Sequence, residues 1–172
     1  MFFALLPDDD TRAAIAARAA RLPRGGRAVP AANYHITLLF VGRADAARLQ
    51  CLCHAAATVE PRPFSLALDR VGVFGRAGAL WLGTGHLDGG LLAWREALLA
   101  RLAADCGLRP ERQAWIPHVT LRRKWRGEPP QGPVDPVLWQ GDGGFHLMCS
   151  EADPAGGVRY HSLAVFPRPK AG

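Results

Sequence analysis

No stretch of this chain stays apolar long enough to cross a bilayer, which argues against a helical membrane protein. The opening run of residues 1–6 is apolar but short. It lacks a basic leader and runs at once into Pro7 and three aspartates, so neither a signal peptide nor a span is expected there. Cysteine is scarce, with four in 172 residues. Cys51 and Cys53 stand two apart in a predicted helix, where their side chains diverge by about 200°, and Cys106 and Cys149 are isolated. Neither a disulfide framework nor a metal cluster is expected, and free thiols in a reducing, cytoplasmic compartment are the simplest reading. Charge is also thin at 21%, against 49% hydrophobic residues, which excludes a disordered chain and supplies enough apolar surface for one core. No linker divides the sequence, so residues 1–172 are read as one domain, with two sub-lobes allowed.

What charge there is leans one way. The net charge is +6 and the pI near 9.8, which suits an anionic partner such as nucleic acid, a nucleotide or a membrane surface. Arg12, Arg18 and Arg21 sit at helical spacing among alanines and also serve simply to solvate a face. Charge therefore permits a function and selects none.

The residue pattern predicts a strand over 2–6. A helix capped by Asp8, Asp9 or Asp10 then runs to about Leu22 and is ended by Pro23 and Gly25-Gly26. A strand follows over 34–41, then a helix from Asp45 to Val59. Residues 64–74 and 79–83 read as a hairpin. A third helix over 88–106 carries Leu91, Trp94, Leu98 and Leu102 on one stripe and ends at Gly107. After it come a strand over 118–123, a Pro/Gly-rich surface loop over 127–136, and two late strands near 144–150 and 158–166. Hairpins mixed with helices indicate an α+β fold with antiparallel sheets rather than a doubly wound parallel one.

Two places spell the same pattern. Residues 35–38 are His-Ile-Thr-Leu and residues 118–121 are His-Val-Thr-Leu, about half the chain apart, and none of His54, His86, His146 or His161 is followed by any residue and then Thr. Strands favour β-branched residues and leucine, which accounts for Ile36, Thr37, Val119 and Thr120 but not for both histidines. In a strand, side chains alternate, so His35 and Thr37 share one face and His118 and Thr120 another, while Ile36, Leu38, Val119 and Leu121 anchor the core. Two such faces turned toward one another make a cleft holding two imidazoles and two hydroxyls. That set suits phosphate-ester chemistry without a metal: one neutral ring takes a proton from a nucleophile, one cationic ring gives a proton to the leaving oxygen, and the hydroxyls hold phosphate oxygens. Two histidines alone lack the third protein ligand expected of a catalytic zinc, so no metal or other cofactor is expected.

At these motifs the chain resembles the 2H phosphoesterases, and within them the RNA 2′,3′-cyclic phosphodiesterases, also called 2′-5′ RNA ligases. The likeness covers most of the chain: FFALLP, VPAANYHITLLFVG, GVFGRAGALWLG, WIPHVTLRR and the closing GGVRYHSLAVFP. It implies a two-lobed α+β fold, with pseudo-twofold related antiparallel sheets around a central cleft and helices outside. It implies His35 as proton donor to the departing 3′ oxygen and His118 as proton acceptor from water, with Thr37 and Thr120 gripping the phosphate. It implies RNA ends or cyclic nucleotides as substrate, a 2′-phosphate product, and 2′-5′ ligation as a minor reverse activity. A monomer with no membrane partner is expected. Other readings are a non-catalytic protein that binds RNA ends, or the same machinery acting on another cyclic phosphate or a 2′-5′ oligonucleotide.

Relatives often carry an acid after the glycine that here is Gly42, where this chain has Arg43, a change expected to affect only a surface turn. The phosphate-binding arginine of relatives matches Arg123 by offset, whereas strand parity favours Arg122 unless a bulge intervenes. The run Arg122, Arg123, Lys124, Trp125, Arg126 is either a track for an RNA backbone or a solvated loop edge. Tyr34 and Trp115 flank the motifs as core residues or as base-stacking contacts.

Overall fold

The computed structural model describes residues 1–109, 113–130, 134–152, 154 and 157–167. In chain order its elements are β1 (Phe2–Leu5), α1 (Asp9–Ala20), β2 (Arg27–Ala28), β3 (Ile36–Phe40), α2 (Ala46–Ala56), β4 (Phe64–Leu68), β5 (Arg70–Phe74), β6 (Ala79–Gly83), α3 (Gly89–Cys106), β7 (His118–Arg123), β8 (Val137–Gly141), β9 (Phe145–Ala152) and β10 (Val158–Phe166). Each helix begins where an aspartate satisfies a backbone N–H that has no partner inside the helix. Asp8 accepts from Thr11 at 2.7 Å, Asp45 from Arg48 at 2.8 Å and Asp88 from Gly90 at 2.7 Å. Gly107 ends α3 at φ 63°, a left-handed conformation that glycine adopts without a Cβ penalty.

The antiparallel α+β architecture holds, and the strand order refines it. Seven strands run β10-β9-β1-β3-β7-β6-β5, with the short β2 added beside β7. The two halves of this sheet meet at a single register pair, Ile36 on β3 against Val119 on β7. A small separate sheet pairs β4 with β8. Below the main sheet lie Phe3, Leu5, Ile36, Leu38, Val119 and Leu121 together with the apolar faces of the helices, including Leu52, Leu91, Leu98 and Leu102.

Three expectations need correction. The segment 64–74 is two strands, broken at Asp69. Phe64, Leu66 and Leu68 turn into the core of the small sheet, β5 joins the β6 hairpin of the main sheet, and the Asp69 carboxylate accepts from the Gly85 N–H at 2.7 Å. β8 was not foreseen, because only Val137 and Trp139 point inward and two buried residues make too short an alternation; Trp139 is nonetheless fully buried against Phe64. The loop expected over 127–136 falls partly outside the described residues. The thiols are not all free: Cys51 and Cys106 form a disulfide between α2 and α3, with Cα atoms 5.9 Å apart, leaving Cys53 and Cys149 as thiols. Cys51 and Cys53 do diverge on α2, and the divergence aims Cys51 at the last turn of α3, a packing that residue spacing does not reveal. Among the described residues, no helix is long and apolar enough to cross a membrane.

Candidate active site

The pair Ile36 and Val119 is the pivot of the site. Both side chains are fully buried below the sheet, so the flanking His35, Thr37, His118 and Thr120 must point to the opposite face. His35 stands one residue before β3 and His118 is the first residue of β7. Each ring is then fixed in the same way. His35 Nδ1 lies 2.8 Å from the carbonyl oxygen of Asn33, and His118 Nδ1 lies 2.7 Å from that of Ile116, the carbonyl two residues back in both cases. A carbonyl only accepts, so each Nδ1 carries the hydrogen. Each Nε2 is therefore left to hold a lone pair when the ring is neutral and a proton when it is cationic. Aromatic rings hold the imidazoles from the sides. Phe2 and Tyr160 each lie 4.9 Å from the His35 ring, and Phe74 and Trp81 lie 4.8 and 6.0 Å from the His118 ring.

Both motifs end in a β-bulge at their leucine. Along β1, Phe3 pairs with Leu39 and Ala4 with Thr37, so Leu38 is the extra residue. Along β6, Leu80 pairs with Arg122 and Trp81 with Thr120, so Leu121 is extra. A bulge shifts the alternation by one. The third cleft-facing residue of each strand is consequently the fifth after the histidine, Phe40 in one half and Arg123 in the other. Phe40 pairs with Phe2 and is 61% exposed, and Arg123 pairs with Ala79 on the face that carries Trp81. The offset and parity arguments for the arginine are thereby reconciled: Arg123 faces the histidines, while Arg122 turns aside and donates to the Gly25 carbonyl at 3.2 Å.

The other flanking residues serve the framework. Tyr34 is buried in the core, where desolvation raises its phenol pKa. Trp125 is also buried, packed beneath Gly25 and Gly127, so it offers no stacking surface beside the arginines. Trp115 donates its indole N–H to the Thr37 carbonyl at 2.8 Å and lies under the Arg95 guanidinium, 5.1 Å from ring centre to Cζ. Arg95, on α3, is buried and donates from Nε to the Leu38 carbonyl at 2.9 Å. Nothing in the sequence marked Arg95, because it sits within the apolar stripe of a helix. Its service is to the backbone of the first motif at its bulge.

Burial pushes both imidazoles below the ordinary histidine pKa of 6.5, and the carbonyl hydrogen bonds offset this in part. The positive charges of His118 and Arg123 lower His35 further, and Arg123 does the same to His118. The protein's own groups around the cleft thus favour the neutral form of both rings, and an anion between them would favour their charging. Among the described residues, no three His, Cys, Asp or Glu side chains cluster as metal ligands.

Gly72 sits opposite Trp81 on the neighbouring strand, and a Cβ there would overlap the indole. Gly72→Ala should therefore cost about 1–3 kcal/mol in denaturant unfolding and shift the His118 ring resonances through the displaced Trp81. Unchanged stability with unchanged histidine signals would contradict this packing.

Comparison with known proteins places this geometry. Residues 5–81 match the model of the LigT like Phosphoesterase family. An RNA 2′,3′-cyclic phosphodiesterase of Thermus thermophilus is 32% identical over 96% of this chain and 88% of its own. One from Geobacillus stearothermophilus is 36% identical over 59% of this chain, a match spanning only 33% of that relative's length. The crystal structure of Escherichia coli LigT complexed with 3′-AMP superposes with a TM-score of 0.83 at 29% identity, covering 96% of this chain and 95% of the other. Carrying the paired His-x-Thr-Leu strands together with these likenesses, the chain belongs to the LigT-like, two-histidine phosphoesterases.

Proposed function

We propose that this protein hydrolyses RNA or nucleoside 2′,3′-cyclic phosphates to 2′-phosphates, with His35 and His118 as an acid–base pair. The supporting observation is the matched setting of the two rings: each Nδ1 is tied to a backbone carbonyl, and each Nε2 is left for chemistry. Neutral His118 takes a proton from water as the water oxygen bonds to phosphorus. The bond from phosphorus to the 3′ oxygen breaks in line, and cationic His35 protonates that oxygen. The Thr37 and Thr120 hydroxyls and the Arg123 guanidinium hold the non-bridging oxygens, where negative charge grows. A 5′-hydroxyl in place of water gives a 2′-5′ linkage by the same proton transfers. No ATP is consumed, because the cyclic ester supplies the leaving oxygen.

The pH dependence follows from the direction of the histidine shifts. The base must be neutral and the acid cationic, so the rate rises through one pKa and falls through the other. In the free protein both lie below 6.5, so the bell for kcat/KM centres below pH 6.5. Bound phosphate is anionic and raises both values, so the bell for kcat centres at higher pH. The assay is hydrolysis of adenosine 2′,3′-cyclic phosphate in EDTA, with the product assigned by phosphorus NMR. A 3′-phosphate product, or no turnover without added metal, would overturn the reading.

A further inference from the structure

The Cys51–Cys106 disulfide takes no part in the chemistry of the cleft, yet it fastens the helix that braces it. The bond joins the middle of α2 to the last residue of α3, across 55 residues of sequence that include the β5–β6 hairpin with Phe74 and Trp81. From α3, Arg95 reaches the Leu38 carbonyl of the first motif. Beyond the Gly107 cap, the chain leads to Trp115, which holds the Thr37 carbonyl, and to Ile116, whose carbonyl fixes His118. The turn that carries Cys106 is closed by two backbone bonds, from Gly107 N–H to the Ala103 carbonyl at 3.1 Å and from Leu108 N–H to the Leu102 carbonyl at 3.2 Å.

The bond is placed to open and close without rebuilding the fold. Both cysteines are partly exposed, so a small thiol or disulfide reaches the sulfurs. Cys51 Sγ lies 3.3 Å from the Asp105 carbonyl oxygen, one of the terminal carbonyls of α3 that no later turn of the helix can reach. Once reduced, the Cys51 thiol donates to that oxygen, so breaking the bond strands no polar group. The helices stay packed through the buried Leu52, Leu98 and Leu102. What reduction removes is the tether, which restrains the unfolded chain and the fraying of the last turn. We infer that Cys51–Cys106 is a reversible redox staple: the thiol–disulfide state of the surroundings sets how much heat the protein tolerates, while the cleft keeps its geometry in both states. Closing the bond passes two electrons and two protons to a low-molecular-weight disulfide, which leaves as two thiols. Excess thiol runs the exchange backwards through the same mixed disulfide.

The experiment equilibrates the full chain with reduced or oxidised glutathione, counts free thiols by alkylation and mass, and melts each form. Reduction should lower the melting midpoint by about 5–15 °C, and returning the protein to oxidised glutathione should restore it. The Gly107 and Leu108 amides should exchange faster in the reduced form. Cys51→Ser and Cys106→Ser should each melt with the reduced native chain and ignore reductant, whereas Cys53→Ala and Cys149→Ser should keep the response. Well below both midpoints, the two forms should hydrolyse adenosine 2′,3′-cyclic phosphate within about twofold of one another. Between the midpoints only the oxidised form should stay active. An unmoved midpoint in protein that alkylation shows to be reduced overturns the staple, and so do four free thiols in excess oxidised glutathione. A reduced chain already unfolded well below the oxidised midpoint, and not recovered on reoxidation, overturns the reversible switch. If neither form hydrolyses the nucleotide, the proposed reaction fails, and melting and amide exchange decide the staple by themselves.

Discussion

Replacing either His35 or His118 by alanine is expected to lower kcat for cyclic-phosphate hydrolysis by about 10²–10⁴-fold, the largest functional effect in the molecule. The two losses should not add. A proton delivered to the leaving oxygen is of little use while the nucleophile keeps its own, so the double variant should be only slightly worse than the poorer single one. Neither substitution should unfold the chain, since each ring lies only partly buried above the sheet while Ile36 and Val119 keep the strands joined. The variants also report on each other electrostatically. The His118 charge is one of the causes that lower His35, so His118→Ala should raise the His35 pKa toward 6.5, measurable from its ring protons in NMR. Activity above a hundredth of the native value in both single variants would remove the two-histidine mechanism, and an unmoved His35 pKa would deny that the rings face a common space.

The histidines and threonines were legible in the sequence because period-two alternation translates directly into a shared face. The bulges were not. Leu38-Leu39-Phe40 and Leu121-Arg122-Arg123 contain nothing that says which residue is skipped, and only the pairing of Ala4 with Thr37 and of Trp81 with Thr120 reveals it. For the same reason the arginine stood ambiguous, and Phe40, the counterpart of Arg123, went unnoticed. The helix caps at Asp8, Asp45 and Asp88 are local chemistry and were readable or nearly so. The pairing of Cys51 with Cys106 and of β4 with β8 depends on contacts between segments remote in sequence, for which one chain offers no signal. Aromatic residues beside the motifs were open to two readings, because adjacency in sequence does not say which way a ring turns. Tyr34 takes the core-packing alternative, and Trp125, in the basic run, is buried as well.

Arg95→Met should destabilise the fold by about 1.5–3 kcal/mol, although it replaces a buried ion with an apolar chain of similar length. Such replacements are often neutral when both members of a buried pair are removed together. Here the partners that remain are the half-exposed Glu96 carboxylate, to which Arg95 Nη1 donates at 2.6 Å and which water can solvate, and a buried backbone carbonyl, which it cannot. The bulge sets Leu38 outside the pairing of β3 with β1, and Arg95 Nε supplies a hydrogen bond to its oxygen at 2.9 Å. Methionine leaves that buried acceptor without this donor and takes the cation from the face of Trp115, whose indole N–H holds the neighbouring Thr37 carbonyl. The first motif should loosen at the residue proposed to grip phosphate, so kcat should fall along with stability. Arg95→Lys keeps the charge but lacks the planar donor at Nε, and should recover little of either. Trp115→Phe removes only the indole donor and should cost less than Arg95→Met. Because both side chains brace adjacent carbonyls and touch each other, a double-mutant cycle should show coupling of about 0.5 kcal/mol or more. Full stability and full turnover in Arg95→Met would mean that the bulge holds its shape unaided and that the guanidinium is incidental to the site.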